Sequence, residues 1–303
     1  MVEMPKILVM MSTYNGEKYV EEQIDSILAQ TIDGLELLVR DDGSSDRTQE
    51  ILASYADAGK LTWYQGKNAG PGGSFFDLMQ QAGDADYYAF SDQDDYWQPE
   101  KLAAAVQRME AEHFDGPLMY FSRKNIVDQE LKPLNRADFP IRKLSFGTAM
   151  LNSYASGCTM VYNRALKELL DLYRPEKANM HDAWVYRVVS ALGRVIYDQN
   201  AYIEYRQHGN NVVGMQSKSS HWKERFHTIK KRSQDTVRIR YAEELLQGYG
   251  DRLSERDRRL ARQMAGIKKS FGCRLGFFFN PDASTQNRMD IVFVKLFALL
   301  GWL

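Results

Sequence analysis

Four short apolar runs, each closed by a polar turn and followed by a helical pattern, constrain this chain more than any other feature. Lys6-Ile7-Leu8-Val9-Met10-Met11 is continuously apolar after its first residue, as expected of a parallel strand covered on both faces, and it exits into Ser12-Thr13-Tyr14-Asn15-Gly16. A helical pattern through Val20, Ile24, Ile27 and Leu28 follows. Leu35-Glu36-Leu37-Leu38-Val39-Arg40 repeats the arrangement and closes on Asp41-Asp42-Gly43-Ser44-Ser45-Asp46, where Ser45 or Asp46 is placed to cap the next helix. Leu61-Thr62-Trp63-Tyr64 leads into the glycine-rich turn Asn68–Ser74, and Tyr87-Tyr88-Ala89-Phe90 is the fourth run. Strand then helix, with the polar turn always at the same end, predicts an α/β fold: a doubly wound, Rossmann-like mixed sheet flanked by helices.

The fourth strand delivers Ser91-Asp92-Gln93-Asp94-Asp95-Tyr96-Trp97 ahead of a helical pattern beginning at Pro99. Ligands bind at the carboxyl ends of strands in such sheets, and clustered carboxylates there must hold a cation or repel one another. Oxygen donors of this kind suit Mg²⁺ or Mn²⁺ bridging phosphates. The alternative is a helix N-terminal turn whose Asp residues serve the dipole, but one Asp suffices for that. His181-Asp182 opens a second chemical region, at the start of a helical run to Leu192. Asp182 is either a general base or a residue stabilising the helix N-terminus.

Composition narrows the partners. The net charge is −1, yet Lys218 to Arg274 carries 16 basic and 7 acidic residues, leaving 23 basic against 33 acidic elsewhere. An acidic catalytic part points to metal-mediated handling of a diphosphate. The boundary falls near Gly214, giving a catalytic domain over 1–214 and a basic helical region over 215–303. Trp222, Phe226, Ile229, Val237, Tyr241, Leu245, Leu260 and Met264 keep helical spacing there. That region reads either as a packed hairpin with a solvated basic face or as a surface helix attracted to anionic lipid. Residues 291–303 are too few to span a bilayer and fit an interfacial helix or a homodimer contact. No reader motif supports nucleic-acid binding. Cys158 and Cys273 lack paired spacing, and the amino terminus lacks a signal-peptide pattern, so a cytoplasmic protein is expected.

Ser12-Thr13-Tyr14-Asn15, Asp41-Asp42-Gly43-Ser44 and Asp92-Gln93-Asp94-Asp95, at these separations, resemble the nucleotide-sugar-binding half of family 2 inverting glycosyltransferases with the GT-A fold. The resemblance covers about residues 5 to 212. The segments Ser91–Trp97, His181-Asp182-Ala183-Trp184 and Tyr205-Arg206-Gln207-His208-Gly209-Asn210 resemble, more narrowly, the rhamnosyltransferases that build Gram-positive cell-wall or capsular rhamnose polysaccharides. The resemblance implies that Thr13, Tyr14, Asn15, Asp41, Asp42, Asp92 and Gln93 line the nucleotide. Asp41 is suited to accept a pyrimidine imide N–H. It further implies that Asp94, Asp92 and His208 hold Mn²⁺ or Mg²⁺, that Asp182 is the base, and that His181, Trp184 and Arg206 contact substrate or diphosphate. Asp95 reads as a helix-start residue or as support for the metal. Trp184 and His208 each have a plainer alternative, as a core tryptophan and a surface histidine.

The expected reaction is transfer of L-rhamnose from dTDP-L-rhamnose to a lipid-linked saccharide, on the inner face of the plasma membrane. A UDP-hexose transferase is the alternative within the family, and a non-catalytic sugar-nucleotide-binding scaffold the alternative outside it. Residues 128–150 lack periodicity and read as a long loop on the acceptor side or a lid.

Overall fold

The computed structural model describes residues 4–134, 141–207 and 236–303. Among them, eight strands form one sheet: β1 (Ile7–Thr13), β2 (Leu35–Asp41), β3 (Thr62–Gln65), β4 (Tyr87–Ser91), β5 (Tyr96–Trp97), β6 (Leu118–Val127), β7 (Met160–Asn163) and β8 (Arg194–Arg206). Their order is β3-β2-β1-β4-β7-β6-β8-β5. β1 pairs in parallel with β2 and β4, whereas β7 runs antiparallel between β4 and β6. The sheet is therefore mixed.

Successive side chains on a strand point to opposite faces, and β1 shows what that does here. Ile7, Val9 and Met11 enter one core with Val20, Ile24 and Ile27 of α1 (Val20–Leu28), Leu52 of α2 (Thr48–Asp57) and Leu102 of α4 (Lys101–Glu110). Leu8 and Met10 enter a second core with Phe75 and Leu78 of α3 (Gly70–Gln81), Leu166 of α6 (Arg164–Asp171) and Trp184 of α7 (His181–Leu192). The expected unbroken hydrophobicity of β1 thus serves two layers.

The C-terminal helices belong to the second core. Tyr241, Leu245 and Tyr249 of α8 (Val237–Tyr249), with Leu260 and Met264 of α9 (Glu255–Ala265), are buried in it. Buried Glu244 accepts from Tyr173 Oη at 2.8 Å and from the Glu176 and Lys177 amides, fixing α8 to that loop. Among the described residues, the helical region is continuous in packing with the sheet. α10 (Phe271–Phe279) and α11 (Arg288–Leu299) pack on each other and follow α9.

Three local features mark the later part of the chain. Residues 194–206 form one strand, irregular only in its register against β6. Gly157–Thr159 forms a 3-10 turn directly before β7. Within the expected loop 128–150 lies α5 (Phe146–Leu151), started by a capping box between Ser145 and Thr148.

Register brings the strand ends level. Thr13 lies opposite Asp41, Met11 opposite Ser91, and Asp41 opposite Gln65. Arg40, 4% exposed, locks the second exit: it pairs with Asp42 and donates to Asp77 at 2.8 Å, Ser74 Oγ at 3.0 Å and the Lys67 carbonyl at 2.9 Å. Removing it strands a buried carboxylate. Arg40→Leu is expected to lower the unfolding free energy by about 3–5 kcal/mol, read as a lower urea midpoint.

Candidate active site

The four strand ends lie side by side and their loops are cross-bonded. Asp42, 3% exposed, accepts from the Ala69 and Gly70 amides at 2.9 Å and so caps α3. Asp41 is fully buried and accepts from Thr13 Oγ1, the Gly43 and Ser44 amides, Ser44 Oγ and Gln49 Nε2. Five protein donors occupy it, so an incoming base N–H would have to displace one of them, with the rotatable Ser44 hydroxyl the easiest to move. Asn15 has φ 47°, a left-handed conformation that Asn tolerates, and its Oδ1 accepts from the Ser45 amide at 2.8 Å. Tyr14 is left about half exposed between these loops. Gln93 clasps it, its Oε1 accepting from the Tyr14 amide at 2.8 Å and its Nε2 donating to the Tyr14 carbonyl at 3.1 Å.

Asp95 does not start a helix, because β5 follows it directly and pairs with β8. Its Oδ1 accepts from the Arg206 amide at 3.1 Å, while its buried Oδ2 has no partner. Donor atoms of Asp92, Asp95 and Cys158 lie within 4.8 Å of one another. Loss of solvent, with Asp94 and Asp182 nearby, pushes the Asp92 carboxyl up to about 7, and Asp95 is raised for the same kind of reason. Burial also pushes the Cys158 thiol up, and its soft sulfur matches Mg²⁺ or Mn²⁺ less well than carboxylate oxygen does. An orphaned buried carboxylate oxygen amid crowded carboxylates fits a divalent cation with oxygen ligands. Asp92 and Asp95 are the pair that the geometry gathers, with Asp94 beside them.

Asp182 stands across from this cluster in the first turn of α7 and is half-buried. Its Oδ2 accepts from the Gly157 amide at 3.3 Å and its Oδ1 from the Ala183 amide at 2.6 Å. Gly157 is needed there, since a Cβ would lie 2.7 Å from His181 Nε2. The small residues around position 157 thus serve close approach to the His181-Asp182 pair.

Several candidate residues have other duties. His181 makes no bond to Asp182: it is 3% exposed, stacks on Phe75 at 3.9 Å and meets the edge of Phe90 at 4.6 Å, with both nitrogens unpartnered. Trp184 is 1% exposed between Tyr173 and Tyr249, a core residue rather than a wall for substrate. Arg206 has no arm for a phosphate, because its buried guanidinium donates to the Asp94 and Gln129 carbonyls and pairs with Glu22. It secures the acidic loop to α1. His208 lies outside the described residues. Conversely, Lys124 on β6 was not singled out: its Nζ donates to Ser156 Oγ at 2.7 Å, lies 4.1 Å from the Tyr205 ring, and favours the ionised forms of Asp92 and Asp95. Its basic neighbours on a polar strand end were the available signal.

The family model for glycosyl transferase family 2 matches residues 8–170. This chain belongs to glycosyl transferase family 2. A dTDP-rhamnosyl transferase, RfbG, of Shigella flexneri is 29% identical over 226 residues, covering 67% of this chain and 73% of that protein. An uncharacterised glycosyltransferase of Rickettsia typhi is 26% identical over 212 residues, covering 67% of this chain and 64% of its own length. The chain thus spans slightly less than two thirds of that relative. The crystal structure of Staphylococcus aureus TarS 1–349 with UDP-GlcNAc aligns over 97% of this chain and 81% of that one, with a TM-score of 0.57 and 20% identity. The fold of this family 2 glycosyltransferase is the GT-A fold, a mixed sheet flanked by helices.

Burial holds His181 neutral, lowering its pKa from 6.5 to about 4 against the pull of Asp182. The unfolded chain therefore binds more protons between those values. The stabilisation from the neutral ring is complete above pH 6.5 and is lost as pH falls towards 4. His181→Phe keeps the stacking, and is expected to flatten the fall of unfolding free energy over that window; an unchanged slope would assign the sensitivity elsewhere.

Proposed function

We propose that this protein is a metal-dependent inverting transferase that moves L-rhamnose from dTDP-L-rhamnose to a lipid-linked saccharide on the inner face of the plasma membrane. The observation that carries the reaction type is geometric: the Asp182 carboxylate is held by the Gly157 amide, next in the chain to Cys158, whose sulfur lies within 4.8 Å of donor atoms of Asp92 and Asp95. A base and a crowded acidic cluster in one cleft are what inversion needs. Asp92, Asp94 and Asp95 would hold Mn²⁺ or Mg²⁺, with His208 a further ligand. When bound, the cation neutralises the diphosphate leaving group.

Asp182 takes the proton of the acceptor hydroxyl as its oxygen attacks the anomeric carbon opposite the nucleotide, so configuration inverts. The Gly157 and Ala183 amides hold the carboxylate in place. Thr13, Tyr14, Asn15, Asp41 and Asp42 shape the nucleoside side, and Lys124 faces the diphosphate as a cation of this chain. The likeness to a dTDP-rhamnosyl transferase supports the donor. A UDP-hexose donor is the second reading, favoured by the shared fold with TarS, which was solved with UDP-GlcNAc.

Turnover of dTDP-L-rhamnose and UDP-sugars with a lipid-linked saccharide, with Mn²⁺ and then chelator, tests this reading. Chelator-sensitive use of the rhamnose donor alone is expected. Exclusive use of a UDP-hexose would keep the chemistry and overturn the donor. Asp182→Asn should lose turnover by about 10²–10⁴-fold while nucleotide affinity is kept, and unchanged turnover would remove Asp182 as base. Lys124→Met should weaken donor binding by roughly tenfold, the scale of one charged hydrogen bond; equal affinity by calorimetry would exclude its contact with the diphosphate.

A further inference from the structure

The apolar faces of α8 and α9 are used up in the core, but those of α10 and α11 are not. Phe271, Leu275 and Phe279 recur every fourth residue on α10 and are 66%, 42% and 71% exposed. On α11, Met289, Phe293, Leu296 and Leu300 form a second exposed stripe, continued by Trp302. Of the twelve large apolar side chains exposed among the described residues, nine fall within residues 271–303. Monomers rarely expose such a concentration without a partner for it. Lys295, the charge that interrupts α11, folds away and donates to the Asn280 carbonyl at 2.7 Å.

The surroundings of the stripes are basic. Residues 268–303 contain five Lys or Arg and two Asp or Glu. Against α10 lies a cavity of about 420 Å³ lined by Glu255, Arg256, Arg259, Arg262, Gln263 and Cys273. Asp282 pairs with Arg256 and Arg259, leaving three arginines set against two acids at this cavity. The linking loop is fastened to the segment before α5: Gln286 Oε1 accepts from the Arg142 and Lys143 amides, and Gly147 meets the Asp282 carbonyl with no room for a side chain.

We propose that the α10–α11 hairpin docks on an anionic lipid surface, its aromatic stripes entering the headgroup boundary and the basic residues around the hairpin meeting the phosphate headgroups. No helix among the described residues is long and apolar enough to cross a membrane, so the contact lies along the surface. Charge decides between a bilayer and a second copy of the chain. An isologous contact sets the same patch against itself and brings like charges together, whereas anionic headgroups complement the basic rim. The proposal gives the lipid-linked acceptor of the preceding reading a place to meet the protein, but lipid binding is measured without turnover, so either can fail alone.

The test is sedimentation of the full chain with phosphatidylcholine vesicles and with vesicles containing phosphatidylglycerol. Binding to the anionic vesicles that weakens with salt is expected. Phe271→Ser combined with Phe279→Ser and Phe293→Ser should reduce it by roughly tenfold or more, and Lys269→Glu, at an exposed position just before α10, should weaken it on anionic vesicles only. These positions are exposed, and an unchanged melting temperature and nucleotide affinity verify that the variants are folded. Failure of the wild-type chain to bind anionic vesicles, or binding indifferent to lipid charge, overturns the proposal. So does a dimer in analytical ultracentrifugation that the triple variant abolishes while vesicle binding is absent, because the face then lies between copies.

Discussion

Mutual repulsion among Asp92, Asp94 and Asp95 is the constraint around which the catalytic half is arranged. Three carboxylates in four residues do not stay together unaided, and the fold fastens them from two directions. Arg206 holds the loop from the β8 side, through its amide to Asp95 and its guanidinium to the Asp94 carbonyl. Lys124 supplies positive charge from β6. Arg206 lies 111 residues beyond Asp95, and Lys124 much nearer. The geometry of the acidic loop therefore depends on completion of the sheet, and the most distant strand is as much a part of it as the loop itself.

The sheet separates two cores, and each has a different relation to chemistry. The α1–α2–α4 side packs against Ile7, Val9 and Met11 of β1. The α3–α7 side places His181 and Asp182 on a helix packed against Phe75 and Phe90, and the C-terminal helices add mass to that side. Asp182 is thus positioned by a helix and a buried aromatic stack rather than by a loop.

The strand–turn–helix alternation and the acidic cluster were legible in the sequence because apolar runs and clustered like charges are local signals. What was not legible depended on geometry across the chain. Arg206 lies in a basic, polar stretch that looks suited to phosphate, yet its three nitrogens are occupied by residues more than seventy positions away. Trp184 sits two residues from the base, but α-helical spacing turns it away from the cleft and into the core. Asp95 looked like a helix start because Pro99 follows closely, and only the pairing of Tyr96 and Trp97 with β8 shows the intervening strand. Lys124 was missed because β6 extends further than its apolar residues do.

The clasp between Gln93 and Tyr14 has a consequence for how the site responds to its ligands. The Gln93 amide offers one acceptor and one donor to a single residue's backbone, the same exchange that two paired strands make. It sews the first loop to the fourth across a gap where no strand runs. Movement of the acidic loop is therefore coupled to the Tyr14 backbone through a single side-chain amide.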